Sequence, residues 1–358
     1  MTKPREHHRL PLVILLFGIA IALFGLLAIY DASVVEAYRQ FGDKFHFVKQ
    51  QSQWLVLAII STLVVSSFPL TLIKKYSSLI FLASLFLMLL VLIPGIGSKL
   101  LGARRWIILG PIVIQPSELL KISLVLYLSS WLETVRELKQ FLFLLSGVML
   151  LVMLQPDLGT GLIITTTCLA LYYISGVPVK QITQFVGVVT VAVLLLILAS
   201  PYRLNRLKTF MDPSSDPLGS SYHINQILYG LGSGGLTGVG IGQSRQKFAY
   251  LPEATTDSIF VIIAEEFGFI GSLILIAALV TLAIFSFRVS LNASSKFDKL
   301  LSSGISLIFI SQIFINLSSM TALVPLTGVP LPFISYGGSS LVTNFISLGL
   351  LINVAKRQ

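Results

Sequence analysis

Charge is what this sequence has least of. Only 11% of its 358 residues are Asp, Glu, Lys or Arg, whereas a soluble domain carries about 25%. Hydrophobic residues make up 55% and mean hydropathy is +0.89. A water-soluble globule is therefore excluded, and a chain that crosses a membrane many times is expected. Strict alternation of apolar and polar residues is also missing. That excludes a transmembrane β-barrel, whose strands alternate with period two. Cysteine is reduced to Cys168, inside an apolar run, so no intrachain disulfide can form and the redox compartment is not legible. Acidic residues are the scarcer sign, 15 against 25 basic, for a net charge of +10. The excess fits cytoplasmic loops under the positive-inside rule, or a basic groove for an anionic substrate. It does not require a nucleic-acid partner.

What is present is a series of about ten apolar runs, at 10–30, 54–72, 79–93, 117–132, 141–154, 160–175, 185–199, 258–287, 300–320 and 338–354. The first follows MTKPREHHR, which has the basic character of a signal-peptide start. It is nevertheless long enough to span a bilayer and no small-residue cleavage site closes it, so it reads as the first spanning helix. The expected fold is an all-α polytopic membrane protein, one domain over 1–358 with no soluble domain or internal repeat, and a long extracellular loop between helices 7 and 8. With the N-terminus inside, the inner segments hold thirteen Lys and Arg and the short outer ones six. Both termini are therefore expected in the cytoplasm.

The long loop, about 202–257, concentrates the polar chemistry. It carries Arg203, Arg206, Lys208, Arg245 and Lys247, and seven glycines between 230 and 242. The basic residues suit phosphate oxygens; solvation or lipid headgroups account equally well for any one of them. The glycines make no nucleotide loop, since no GK[ST] follows, and are expected to permit close backbone approach or unusual φ. Asp257, at the mouth of the next helix, reads either as a helix N-cap or as a general base at the membrane rim. Glu253 is a partner carboxylate or a solvated charge. Glu265 and Glu266 lie two turns into that helix, where an ionisable group needs a partner or a polar cavity.

Elsewhere, Glu118 and Lys121 stand three apart on one helix face and are expected to form an internal ion pair. Asp157 in QPDLGTG precedes a helix and reads as a cap or as a ligand contact. The segment PLPFISYGGSSL, with Ser335 and Gly337, predicts a broken, re-entrant backbone lining a cavity. His223 reads as a loop hydrogen-bonder, and no His, Cys or carboxylate spacing suggests a metal site.

Four stretches carry a resemblance: GARRWIILGPIVIQPSELLKI (102–122), QPDLGTG (155–161), YHINQILYGLGSGGLTGVGIGQSRQKFAYLPEATTDSIFVIIAEEFGFIG (222–271) and PLTGVPLPFISYGGSSL (325–341). In content and order they resemble the SEDS family of bacterial cell-wall polymerases, which includes FtsW, RodA and SpoVE. YDASVVEAYRQFGDKFHFVKQQ makes the chain more similar to FtsW than to RodA. It departs at Asp31, where that pattern has serine, and at Thr255 and Ser258, where most members read LPEAHTDF.

The resemblance implies peptidoglycan glycosyltransferase activity on lipid II at the outer face of the bacterial cytoplasmic membrane, during cell division or elongation. It implies a class B penicillin-binding protein as partner, and other divisome or elongasome membrane proteins. Asp257 matches the family's essential loop aspartate, and Glu118 and Lys121 its buried acid–base pair. A divalent cation such as Mg or Mn could share the stabilisation of a diphosphate leaving group with Arg203, Arg206, Arg245 and Lys247. A lipid II flippase or other transporter is the alternative, because intramembrane charges and broken helices are expected there too.

Overall fold

The structure is a computed structural model that describes residues 9–100, 103–110, 112–198, 201–212, 216, 217, 219 and 221–358. The expected spans appear as helices α1 (Leu10–Phe41), α2 (His46–Ser67), α4 (Ser77–Leu90), α5 (Pro116–Trp131), α6 (Leu138–Leu154), α7 (Leu158–Ile174), α8 (Val179–Leu198), α11 (Ile259–Leu291), α12 (Lys296–Met320) and α13 (Gly338–Ala355). A short helix, α3 (Leu70–Lys75), precedes α4. By length and composition α1, α11, α12 and α13 can each cross a membrane, and α4, α6, α7 and α8 are shorter apolar helices. Large apolar side chains such as Leu27, Phe143 and Ile274 point outward. A surface of this kind suits hydrocarbon and not water. The protein is a multi-pass membrane protein.

Local chemistry sets the helix ends. Pro11 opens α1, and Gly42 closes it at φ 69°, with its N–H donated to Tyr38 O at 2.9 Å. Ser295 caps α12 by accepting from Asp298 N at 3.0 Å. In the interior, α13 packs along α2. Thr62 Oγ1 donates to Phe345 O at 2.8 Å, and Asn353 Nδ2 donates to Val65 O at 2.9 Å and Phe68 O at 2.7 Å. These polar side chains are satisfied by backbone carbonyls of the neighbouring helix, as an apolar setting demands.

Three features go beyond the helices expected. Residues ahead of α5 form an antiparallel meander of β1 (Gly97–Leu100), β2 (Ala103–Leu109) and β3 (Ile112–Ile114), with Ile107 paired to both Gly97 and Ile114. The run was too short and too apolar to separate from a loop by period, although its Ile, Val and Trp favour strand. The long loop contains two helices, α9 (Pro201–Met211) and α10 (Tyr222–Gly234). Residues 321–337 are non-helical and fold back into the bundle, with Phe333 packed on Phe309 and Phe345 at ring-centroid distances of 5.4 and 5.6 Å. This is the broken backbone expected of its prolines and glycines.

The glycine-rich part of the loop has a structural task. α11 is interrupted at Gly268, whose φ is 66°. The loop lies against this break: Val239 N donates to Glu265 O at 3.0 Å, Gly240 N to Glu266 O at 3.1 Å and Phe269 N to Gly235 O at 3.0 Å. A Cβ at Gly238 would stand 2.0 Å from Glu266 O. Only a residue without a side chain permits that approach.

Candidate active site

Asp257 lies where the loop enters α11, one residue ahead of the N-cap residue Ser258. Ser258 does not cap the helix with its hydroxyl; the Oγ meets His223 Nε2 at 2.9 Å, which ties α10 to the start of α11. Asp257 is half-buried. Its turn is built by Glu253, whose carbonyl accepts from Thr256 N at 3.2 Å and Ser258 N at 3.1 Å. The 321–337 segment braces it from the other side. Tyr336 N donates to Thr255 O at 2.9 Å, Ser335 Oγ to Thr256 O at 2.6 Å, and Gly328 is placed so that a Cβ would stand 3.3 Å from Asp257 Oδ2.

The other stretches converge here as well. Asp157 is buried and caps α7, accepting from Thr160 N at 3.1 Å and Thr160 Oγ1 at 2.8 Å. Immediately beyond it, Gly159 packs on Thr327 and Val329. Arg105 of β2 donates to Gln155 O at 2.9 Å and also to Pro156 O. Arg206 of α9 donates to Leu326 O at 2.7 Å. The charges that act on Asp257 are those of two carboxylates, Glu253 and Asp157, and two guanidinium groups, Arg105 and Arg206.

Burial dominates the balance. It pushes the Asp257 carboxyl up to about 7, Glu253 and Asp157 add to the rise, and Arg105 and Arg206 oppose it. A carboxyl poised there can take a proton at neutral pH more readily than an ordinary aspartate. His223 goes the other way. Burial, with Arg206 nearby, lowers its imidazole to about 4 and leaves it neutral.

The remaining residues separate by location. Lys247 does not join the group around Asp257. It is buried, 2.8 Å from Asp31 of α1 and 3.1 Å from Glu266 of α11. Glu265, beside it, accepts from Ser233 Oγ, Ser244 Oγ and the backbone N–H groups of Arg245 and Gln246. The two glutamates thus hold the loop in place. Arg245 is exposed, Glu253 is exposed, and the side chain of Arg203 lies outside the described residues. Glu118 and Lys121 pair at 2.9 Å deep in the bundle, where Lys121 also donates to Gln312 Oε1 at 3.1 Å and Glu118 accepts from Thr343 Oγ1 at 3.3 Å. Ser335 and Gly337 are held by Leu331 N and by Gln51, respectively.

Four residues near Asp257 or its supports were not singled out from sequence: Arg105, Thr343, Gln312 and Asn316. Arg105 was legible only as an outer basic residue. Gln312 and Asn316 carried a signal, two amides at i, i+4 spacing inside an apolar helix. Among the described residues no group of three or more His, Cys, Asp or Glu could hold a metal ion. An apolar groove of about 700 Å³ between α11 and α12, lined by Ile276, Val280, Phe287, Phe314 and Leu317, includes none of the charged groups around Asp257.

The polytopic helical bundle is shared with proteins of known name. The chain belongs to the FtsW, RodA and SpoVE family, described as cell cycle proteins, which matches residues 11–358. It is 40% identical over 353 residues to the probable peptidoglycan glycosyltransferase FtsW of Coxiella burnetii, covering 96% of this chain and 95% of that one. It is 36% identical over 354 residues to stage V sporulation protein E of Bacillus subtilis, covering 96% of both. Among solved structures it is similar to a chain of a peptidoglycan synthase complex that coordinates polymerization and crosslinking, with TM-score 0.79, 26% identity and coverage of 96% and 97%. It is also similar to RodA of Thermus thermophilus, with TM-score 0.71, 26% identity and coverage of 96% and 95%.

Proposed function

We propose that this protein is a peptidoglycan glycosyltransferase that polymerises lipid II into glycan strands at the outer face of the bacterial cytoplasmic membrane, with both termini in the cytoplasm. The observation that carries the reading is the meeting of four distant stretches at Asp257, a carboxyl that burial raises to about 7. The names of the relatives support the same chemistry. Asp257 takes the proton from the GlcNAc 4-hydroxyl of one lipid II. The freed oxygen attacks C1 of the MurNAc that bears the growing chain, and the C1–oxygen bond to undecaprenyl diphosphate breaks, its electron pair leaving with the diphosphate. An α-linked donor gives a β-linked product, so the displacement is inverting and needs one base.

Arg206 and Arg105 are the cations best placed to meet charge developing near Asp257. Exposed Arg245, together with Arg203, is assigned to approach of the diphosphate. Lys247 is assigned to holding the loop and not to substrate, because both its partners are carboxylates within the protein. The described residues offer no cluster for a resident metal, and no step is assigned to a divalent cation. A class B penicillin-binding protein is the expected partner, in keeping with the synthase complex among the similar structures. Whether cell division or elongation uses the enzyme follows from which transpeptidase it binds. Purified wild-type protein should convert lipid II into glycan ladders on a gel, and Asp257→Ala should not. Transport of dye-labelled lipid II across liposomes without polymerisation would instead identify a flippase.

A further inference from the structure

Two amides lie in the outer part of α12, one turn apart and so on one face. Gln312 and Asn316 are 0% and 1% exposed. A buried amide in apolar surroundings is costly unless it is bonded; both NH₂ groups and Gln312 Oε1 have specific partners, while Asn316 Oδ1 has none among the described residues. Gln312 Oε1 accepts from Lys121 Nζ at 3.1 Å, and its Nε2 donates to Pro330 O at 3.0 Å. Asn316 Nδ2 donates to Val329 O at 2.7 Å and to the carbonyl of Asp257 itself at 2.9 Å.

These contacts connect the two sites that the sequence left separate. Thr343 of α13 and Glu118–Lys121 of α5 stand at one end, and Asp257 at the other. Gln312 and Asn316 join them within the bundle. One NH₂ group, that of Asn316, holds both the main chain of Asp257 and the segment that walls its carboxylate. If either amide is lost, those carbonyls lose their anchor and the carboxylate is free to drift. A misplacement of about 1 Å can cost a rate about a hundredfold.

We propose that Gln312 and Asn316 are positioning residues for Asp257, and that the buried Glu118–Lys121 pair acts on the reaction through them. The proposal rests on Asp257 being the base. A pair that served packing alone would influence stability and leave turnover by the folded protein unchanged.

The test compares purified full-length Asn316→Ser, Gln312→Leu, Gln312→Glu, Lys121→Met and Asp257→Asn by lipid II polymerisation and by hydrogen–deuterium exchange. Asn316→Ser should lower kcat about tenfold or more, with KM within about twofold, and move the acid limb of the pH–rate profile. Exchange should quicken at the Ser258 and Tyr336 amides, which bond to Glu253 O and Thr255 O. Lys121→Met combined with Gln312→Leu should lose no more than the worse single variant. Gln312→Glu keeps an acceptor for Lys121 and removes the donor to Pro330, so it decides the matter if Gln312→Leu fails to fold. Wild-type kcat and an unmoved acid limb in Asn316→Ser and Gln312→Glu, with Asp257→Asn inactive, would overturn the proposal. Wild-type activity in Asp257→Asn would instead overturn the assignment of the base.

Discussion

The end of the long loop and the first turns of α11 hold two carboxylate sites that are treated in opposite ways. Glu265 and Glu266 are held by Lys247, which Glu266 shares with Asp31, and by five hydrogen-bond donors from the loop. At Asp257, eight residues upstream of Glu265, the carboxyl is desolvated and only partly compensated, with two carboxylates acting on it as well as two arginines. A buried charge that is fully paired is a fastening, because breaking the pair leaves an uncompensated ion. A half-buried carboxyl kept near neutral pKa is available for proton transfer. The contrast assigns structure to the carboxylates inside α11 and chemistry to the one at the end of the loop.

Substitutions can break that contrast from either side. The largest effect is expected for Asp257→Ala, which should reduce polymerisation by about a hundredfold or more, the range typical of a general base, while detergent melting curves show an intact fold. Lys247→Met should do the reverse in kind. It strands Glu266 and Asp31, and should destabilise the protein by about 3–5 kcal/mol, seen as a lowered melting temperature and poor recovery from membranes. Next comes pH. A base at about 7 must be ionised to act, so the polymerisation rate should rise with pH below 7 and level off above it. Arg206→Gln should shift that midpoint upward and Glu253→Gln downward, since the arginine opposes the rise and the glutamate adds to it.

Smaller effects sharpen the comparison. Asp157→Ala removes the cap on α7 and should cost about 1 kcal/mol; removing a negative charge that acts on Asp257 should also lower the pH midpoint. A further effect concerns stability alone. The folded Asp257 carboxyl titrates at about 7 and its ordinary value is 3.8, so the folded state holds this proton more tightly than the unfolded one. Its ionisation therefore erodes stability progressively between those values, with the full loss above pH 7. Asp257→Asn should melt higher than wild type at pH 8 and no higher at pH 4.

Much of the helical frame was legible because lipid leaves a simple signal: a long apolar run has few alternatives to a spanning helix. The meander before α5 and the helices α9 and α10 were not, since short segments of mixed composition have no period to read. In the site, the position of Asp257 at the helix mouth left a cap and a base both open, and the family resemblance singled it out; Glu118–Lys121 was legible from spacing three. Which cations act on Asp257 could not be read. Lys247 and Arg206 look alike in sequence, and only the fold shows that one is enclosed by Asp31 and Glu266 and the other acts on the carboxylate. Arg105 reaches the site because the meander carries it there, which no local pattern announces.

The measurement that bears most directly on Asp257 is a glycan gel from purified wild type and Asp257→Asn, each incubated with lipid II with and without the partner transpeptidase. The amide keeps the shape of the side chain and removes its charge and its ability to take a proton. Strands from wild type and none from Asp257→Asn in either condition would agree with a general base at the end of the loop. Strands of wild-type length and rate from Asp257→Asn would contradict it.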